Sequence, residues 1–170
     1  MDPMLALIAY FAVMIGALCV AYLLGLLNGA LYVPTDRKMV EDMLDVAELI
    51  PTDRLVDIGS GDGRLVIAAA KRGAHAVGYE VNPILVWLSN RAIAKADLAD
   101  RAHVYWKDFW SAHLSEYSVV TVFGIAHIMR RLERKLEREL VPGTRVVCNL
   151  FPLPDWSGQK EKGVFVYQKQ

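Results

Sequence analysis

The 170-residue chain is long enough for one domain and a short additional segment, which excludes two separate hydrophobic cores. Its 19 basic and 19 acidic residues balance, so it lacks the basic excess of nucleic-acid-binding proteins, and we expect no nucleic-acid partner. The two cysteines, Cys19 and Cys148, lie far apart in apolar runs; this spacing fits no metal site and predicts a reducing compartment without a disulfide.

The N-terminal segment has the composition of a membrane span. No charged residue lies between Asp2 and Asp36, and residues 4–27 are almost wholly apolar. A helix of that length measures about 36 Å, enough to cross a hydrocarbon core of about 30 Å. A cleaved signal peptide would begin with basic residues and have a shorter apolar run, and a buried core helix would need polar positions. We therefore predict a single transmembrane helix within an anchor of residues 1–31.

Charges beside the predicted span indicate its orientation. Arg37 and Lys38 follow the span, whereas Asp2 precedes it. Because basic flanking residues remain on the cytoplasmic side, we predict a single-pass membrane protein with its C-terminal domain in the cytoplasm.

The predicted domain, residues 32–170, begins with a linker and a helix. Pro34 keeps the preceding residue extended, and Thr35 or Asp36 caps a helix that runs to about residue 49. Two interpretations of Tyr32 and Thr35 stay open: they line a cofactor site as a lid, or they form a plain linker and cap.

Apolar strands and helical stretches alternate through the rest of the chain. The strand candidates are residues 55–58, 76–80, 103–106, 119–125, 145–150 and 164–168. Helical stretches between the first five predict right-handed βαβ units and an α/β fold with a mostly parallel sheet. Residues 156–162 precede the last strand and predict a short antiparallel partner for it.

The helix predicted over residues 129–140 has an apolar stripe and many charges. The stripe consists of Met129, Leu132, Leu136 and Leu140. The remaining positions include Arg130, Arg131, Glu133, Arg134, Lys135, Glu137, Arg138 and Glu139. We interpret these mixed charges as a solvated face, with contact to lipid headgroups as the alternative.

A glycine-rich turn, Gly59-Ser60-Gly61-Asp62-Gly63, follows the first strand and precedes a helix predicted over residues 64–71. Glycine permits positive φ and close approach of a ligand, and the helix offers unpaired N–H groups, so we expect a cofactor across this turn. The G-x-G-x-G spacing departs from the dinucleotide pattern G-x-G-x-x-G. Carboxylates at Asp57 and Asp62 would repel a pyrophosphate but suit a cofactor with a cationic head.

Two further strands also end in acidic residues. Glu80 ends the second strand about 20 residues after the turn, where a carboxylate binds both hydroxyls of a ribose. Asp108 follows the third strand. Together with the turn, these residues resemble the S-adenosylmethionine site of Rossmann-like methyltransferases.

Five segments, in order and spacing, resemble a small family of membrane-anchored methyltransferases. They are Tyr32-Val33-Pro34-Thr35, residues 56–64, Gly78-Tyr79-Glu80-Val81-Asn82-Pro83, Lys107-Asp108-Phe109-Trp110 and Phe151-Pro152-Leu153-Pro154-Asp155-Trp156. The family contains the mitochondrial lysine methyltransferases of the ATP synthase c subunit and of the adenine nucleotide translocase, with prokaryotic relatives. The resemblance implies a class I methyltransferase fold with S-adenosylmethionine as cofactor.

The resemblance also implies roles for individual residues. The methionine moiety is bound by Asp57, Gly59, Gly61 and Asp62. The ribose is bound by Glu80, the adenine by Asp108 with Phe109, and Asn82 lies beside the ribose or adenine edge. The predicted cofactor-binding residues are Tyr32, Thr35, Asp57, Gly59, Ser60, Gly61, Asp62, Gly63, Glu80, Asn82, Asp108 and Phe109.

Methyl transfer to a lysine depends on positioning donor and acceptor in line, and on a neutral amine. An apolar channel lowers the amine pKa, so no strong general base is required, and residues 123–127 at the end of the fourth strand contain no carboxylate. The catalytic candidates are Tyr32, His127 and Asn149. His127 is either a proton acceptor or a helix-capping or surface residue, and Asn149 is a candidate for orienting the acceptor.

We therefore predict an S-adenosylmethionine-dependent protein-lysine N-methyltransferase that acts on a membrane or membrane-associated protein. The alternatives are a methyltransferase for a small or lipid-soluble acceptor, and a cofactor-binding module without activity.

Overall fold

The computed structural model describes residues 3–28, 35–123 and 126–170, without the side chains of residues 21–28. It divides into two compact units, residues 1–31 and residues 32–170. The first unit contains helix α1, Pro3–Asn28. Among the described residues, α1 is the one helix that is long and apolar enough to cross a membrane, and the side chains of residues 3–20 are not buried against protein.

The second unit is built around a seven-stranded sheet in the order β3-β2-β1-β4-β5-β7-β6. Its strands are β1 Arg54–Ile58, β2 His75–Glu80, β3 Ala102–Trp106, β4 Val119–Phe123, β5 Arg145–Asn149, β6 Gln159–Glu161 and β7 Val164–Gln168. Its helices are α2 Arg37–Val46, α3 Arg64–Lys71, α4 Pro83–Lys95 and α5 Ala126–Glu139, with a 3-10 turn at Phe109–Ser111. The neighbours among β1–β5 pair in parallel, whereas β7 runs antiparallel to both β5 and β6.

This architecture confirms the predicted α/β fold with a mostly parallel sheet. Helix α3 has the predicted bounds, and the Asp36 side chain caps α2 by accepting a hydrogen bond from the Lys38 amide at 3.1 Å. The short antiparallel strand expected within residues 156–162 is β6. Helix α5 begins three residues earlier than predicted.

The sheet is covered by apolar side chains on both faces. Leu55 of β1 and Val119 of β4 pack in a cluster with α2, α3 and α4, while their neighbours Val56 and Val120 pack in a second cluster with α5. Successive side chains of a strand point to opposite faces, so a strand buried on both faces reads as the continuous apolar run seen in the sequence. Because β1–β5 run parallel to one another, their carboxyl ends meet at one edge of the sheet, which we call the carboxyl edge.

The prediction that the charged side chains of α5 are solvated is wrong for Glu133 and Lys135, which are only 5% and 4% exposed. The Lys135 ammonium donates to the Ala112 carbonyl at 2.6 Å and to Glu139 at 2.7 Å. The Glu133 carboxylate accepts from the amides of Asp155 and Trp156 at 2.7 and 2.9 Å. These charges are buried because they satisfy the backbone groups of two loops that lack strand partners.

A buried carboxylate, Asp53, joins four segments at the opposite, amino edge of the sheet. It accepts hydrogen bonds from the Ile50 amide at 2.8 Å and the Ser118 hydroxyl at 2.7 Å, and it pairs with Arg145. Arg145 in turn donates to the Ala47 carbonyl at the end of α2 at 2.6 Å. Burial opposes ionisation, but these hydrogen bonds and the guanidinium outweigh it and lower the pKa of Asp53.

We expect Asp53→Asn to lower the melting temperature of the full chain in mild detergent by about 5–10 °C at neutral pH, because one side of the Arg145 network is left unpaired. Since the folded-state pKa is lowered, the stabilisation is present above about pH 4 and is lost as the pH falls through the folded value. Near-ultraviolet circular dichroism would follow the transition.

The matched control is Asp97→Asn, the same substitution at an exposed residue with a φ of 58° that asparagine tolerates. Its melting temperature should equal that of the natural chain. Equal losses in the two variants would contradict the assignment of Asp53.

Candidate active site

The glycine-rich turn lies between β1 and α3 at the carboxyl edge. Gly59, Gly61 and Gly63 have φ values of 76°, 56° and 74°, in the left-handed region that the sequence analysis predicts for these positions. The amides of Gly59 and Ser60 donate to the Tyr79 carbonyl at 3.0 and 3.1 Å. The turn is thereby joined to the end of β2, next to Glu80.

Close packing around the turn leaves no room for a side chain at Gly78, which lies outside the turn, or at Gly63 within it. A Cβ on Gly78 of β2 would come within 2.4 Å of the Ser60 hydroxyl, and one on Gly63 within 2.9 Å of the Ser89 Cβ. Ser89 of α4 is fully buried, and its hydroxyl lies 3.1 Å from the Gly61 carbonyl. Ser89 is not among the predicted site residues, because a serine within a helical pattern gives no distinct signal.

Glu80 connects the glycine turn to the start of α4. One carboxylate oxygen accepts from the Gly61 amide at 2.9 Å, and the other accepts from the Asn82 amide at 2.8 Å. The Asn82 side chain caps α4 by accepting from the Ile84 amide at 3.0 Å. Each oxygen of Glu80 keeps a second lone pair for a ligand, since a carboxylate has about four acceptor positions.

Asp57 is a buried carboxylate with no cationic partner among the described residues. It is 7% exposed, and one of its oxygens accepts from the Thr121 hydroxyl at 2.8 Å. Burial raises the pKa of Asp57 to about 7; the Thr121 hydrogen bond opposes this, and the charges of Glu80 and Asp62 add to it. A cation bound here would favour the ionised carboxylate.

Within the described part of the chain, Asp62, unlike Asp57, has a cationic partner. Its carboxylate forms a two-pronged salt bridge with Arg64, with Nε at 2.9 Å and Nη2 at 2.6 Å. Arg64 also donates to the carbonyl of Thr35. The structure thus brings two residues of the predicted site, Thr35 and Asp62, together through a guanidinium that the sequence analysis did not consider.

Asp108 and Phe109 follow β3 at the same edge. The Lys107 amide donates to the Glu80 carbonyl at 3.0 Å, so Asp108 comes directly after the strand end that neighbours Glu80. One Asp108 oxygen accepts from the Trp110 amide at 3.0 Å and caps the 3-10 turn. Phe109 is 8% exposed and belongs to the core cluster of α5. Its ring is therefore held in place by packing.

Two of the three catalytic candidates lie at or just after the carboxyl ends of β4 and β5. His127 is exposed in the first turn of α5, and Asn149 is 5% exposed at the end of β5, opposite Phe123 of β4. Tyr32, the third candidate, lies outside the described residues. Leu150 follows Asn149 with a φ of 69°, an unusual conformation for a branched side chain, and is 55% exposed. An exposed apolar side chain therefore follows Asn149 at the carboxyl edge.

Helix α5 holds two loops, one that follows β3 and one that follows β5. Through Lys135 it binds the loop after Phe109, and through Glu133 it binds the loop that contains Asp155 and Trp156. Neither contact was predicted from the sequence, since a charge on an amphipathic helix is ordinarily solvated.

The residues at the turn fit a nucleoside cofactor with a cationic head. The Ser60 hydroxyl is buried and has no hydrogen-bond partner among the described residues. The Asp57 carboxylate could be neutralised by a cation, and the Glu80 carboxylate retains lone pairs that could accept hydrogen bonds from a ligand. At Gly59 there is open space where a Cβ would lie. Such a donor and acceptor set matches hydroxyl groups and a positive charge better than it matches a pyrophosphate.

Comparisons with known proteins relate the chain to methyltransferases. The chain is 45% identical over 126 residues to the human lysine N-methyltransferase of the ATP synthase c subunit, and the match covers 74% of this chain and 54% of that protein. It is 39% identical to a protein-lysine N-methyltransferase of Saccharolobus islandicus, covering 74% of this chain and 80% of that protein. The chain spans about half the length of the human relative.

A solved structure described as an RNA methyltransferase from Salinibacter ruber in complex with S-adenosyl-L-homocysteine superposes with a TM-score of 0.75. It is 36% identical and covers 81% of this chain and 92% of that chain. This superposition confirms the predicted class I methyltransferase fold. The model of the ANTKMT methyltransferase domain matches residues 57–160, from the Asp57 strand to β6. The family match covers more than half of the chain and confirms the predicted resemblance: the chain belongs to the ANTKMT methyltransferase family.

Proposed function

We propose that the chain is an S-adenosylmethionine-dependent protein-lysine N-methyltransferase that acts on a membrane or membrane-associated protein. The observation that carries this proposal is the pair of buried carboxylates, Asp57 and Glu80, beside the glycine turn, where Asp57 lacks a cationic partner among the described residues. The names of the human and Saccharolobus relatives support lysine as the acceptor, and the apolar helix α1 supports a substrate at the membrane.

In this proposal Asp57 faces the positive charge of the cofactor, and Glu80 accepts from its ribose hydroxyls. Asp108 and Phe109 border its adenine, and Ser60 offers the hydroxyl that has no protein partner among the described residues. When bound, the cofactor supplies an electrophilic methyl group on a sulfonium. The protein contributes rigid positioning, because the turn, the end of β2 and the start of α4 are joined by the Glu80 hydrogen bonds.

The acceptor amine enters at the ends of β4 and β5. The described residues there, Phe123, His127, Asn149 and Leu150, include no carboxylate that would hold an ammonium in its charged form. An apolar rim favours the neutral amine, which is the nucleophilic form. Asn149 orients the amine through its carboxamide, and His127 is placed to pass the released proton to solvent.

The domain boundaries belong to the same proposal: residues 1–31 form a membrane anchor, and residues 32–170 form the methyltransferase domain in the cytoplasm. The length and composition of α1 support the anchor. Arg37 and Lys38 at the start of α2 support the orientation.

A second candidate, an RNA methyltransferase, is favoured by the description of the Salinibacter structure. The balance of 19 basic and 19 acidic residues argues against it, because RNA binding draws on a basic surface. A lipid-soluble acceptor is the third candidate, since a membrane anchor suits it equally well.

One assay separates these candidates. The purified full chain is incubated with methyl-labelled S-adenosylmethionine, isolated membranes and total RNA, and protein, lipid and RNA are then separated. We expect label in the protein fraction as methyl-lysine, identified by mass spectrometry. Label confined to RNA or to lipid would overturn the lysine assignment, and bound cofactor without any label would indicate a binding module.

We expect Glu80→Ala to raise the dissociation constant for S-adenosylmethionine about 100-fold, because charge-assisted hydrogen bonds contribute roughly 1.5–3 kcal/mol each. Glu80→Gln keeps one accepting oxygen and should lose less affinity. Isothermal titration calorimetry measures both variants, and their melting temperatures report whether the turn stays folded. The control, Glu116→Ala, removes an exposed carboxylate. Unchanged affinity in Glu80→Ala would show that the ribose lies elsewhere.

Cofactor affinity should depend on pH through Asp57. Its pKa of about 7 leaves it largely protonated in the free protein at acidic pH, whereas a bound cation favours the ionised form. Affinity should therefore fall about 20-fold between pH 7.5 and 5.5, a range in which the amino group of the cofactor stays mainly charged.

In Asp57→Asn the affinity should be lower at neutral pH and nearly constant across this range. Calorimetry at each pH provides the dissociation constants. An unaltered pH dependence in this variant would exclude Asp57 as the titrating group.

A further inference from the structure

Helix α4 presents apolar side chains to solvent. Ile84, Trp87 and Leu88 are 53%, 60% and 44% exposed, and their spacing places them on one face of the helix. Trp106 at the end of β3 is 70% exposed and donates its indole N–H to the Val81 carbonyl at 3.0 Å, just before α4 begins. We call these four side chains, Ile84, Trp87, Leu88 and Trp106, the α4 patch.

The other long helices of the domain have polar outer faces. The exposed positions of α2 are charged, and those of α5 beyond Ala126 are polar or charged. The inner face of α4 already packs against the domain, with Ser89 and Ile93 buried and Val86 against the core, so the patch is additional to what the fold requires. A large exposed apolar surface beside polar ones marks an interaction site.

The α4 patch lies at the carboxyl edge, as does the point where the chain enters the domain. Asn82 caps α4 directly after β2, so the patch occupies the first turns beyond that edge. Thr35, the first described residue of the domain, accepts a hydrogen bond from Arg64 at the start of α3, directly after the glycine turn. Thr35 and the α4 patch therefore lie at the same edge of the sheet.

The charges around the patch favour an anionic surface. Residues 81–96 contain no aspartate or glutamate, and they include Arg91 and Lys95. The Arg91 guanidinium lies 5.6 Å from the centre of the Trp87 ring. Tryptophan is enriched at membrane–water interfaces, and basic side chains there attract anionic headgroups.

We propose that the α4 patch docks on the surface of the lipid bilayer, with Trp87, Leu88, Ile84 and Trp106 inserted among the headgroups and Arg91 paired with anionic lipids. This inference rests on the proposed anchoring by α1. Residues 29–36 separate α1 from α2 and span at most about 30 Å when extended, so an anchored domain stays within reach of the membrane.

Docking would turn the carboxyl edge toward the bilayer. The glycine turn, Asn149 and Leu150 lie at that edge, so an acceptor lysine would be presented from the membrane surface rather than from the aqueous phase. The patch thus points to membrane-protein lysines close to the headgroups as the substrate class.

The test uses the full chain, one copy per nanodisc, with discs containing phosphatidylcholine and phosphatidylserine. An environment-sensitive fluorophore is attached at Leu88→Cys in a Cys19→Ala background; Cys148 is fully buried, and burial raises the pKa of its thiol, so it does not compete for the label. The control site is Val141→Cys, an apolar residue of similar exposure, 50%, that precedes β5 at the amino edge.

Lipids carrying a nitroxide near the headgroup should quench the fluorophore at position 88 at least about threefold more than at position 141, because only the patch would lie among headgroups. Replacing Trp87 with serine in the labelled chain should reduce this quenching. Melting temperatures equal to that of the natural chain show that the variants fold.

Weak or equal quenching at the two positions, in a chain that stays with the discs, would overturn the docking while leaving the anchoring intact. A chain that leaves the discs would overturn both. If position 88 becomes shielded only when a disc carries two copies, the patch binds a second chain instead, and the proposal fails. Because no step depends on methyl transfer, these outcomes are independent of the proposed activity.

Discussion

The site depends on one electrostatic constraint: a carboxylate is buried at the end of β1 without a positive charge among the described residues to compensate it. Asp57 sits where β1 ends, between the Thr121 hydroxyl and the charge of Glu80. Burying an unpaired carboxylate is costly for the folded state, and Asp57 escapes the full cost by binding a proton near neutral pH. A cation beside this carboxylate would lower that cost by favouring the ionised form.

The surroundings of Asp57 are rigid, and the rigidity comes from polar side chains that join elements to each other. Glu80 holds the glycine turn against α4, and Ser89 approaches the turn from the other side. Lys135 and Glu133 likewise restrain the loop that contains Ala112 and the loop that contains Asp155 and Trp156. These hydrogen bonds are present without a ligand, and such preorganisation lowers the entropic cost of binding.

Local patterns in the sequence predicted most of this fold. The apolar runs, the glycine spacing and the bounds of α3 depend on neighbours within a few positions, and such signals are legible in one chain. The acidic residues at the ends of β1, β2 and β3 could also be predicted to lie together, because parallel strands bring their carboxyl ends to one edge. The burial of Glu133 and Lys135 could not be predicted, since it depends on loops some 20 residues away in the chain. The salt bridge between Asp62 and Arg64 was also missed, although the two residues are close in sequence.

Arg64 connects the glycine turn to the backbone that precedes α2. Its guanidinium forms a salt bridge with Asp62 of the turn and donates a hydrogen bond to the carbonyl of Thr35. A substitution that displaces this guanidinium would therefore disturb both segments at once, the loop before α3 and the backbone that leads into α2.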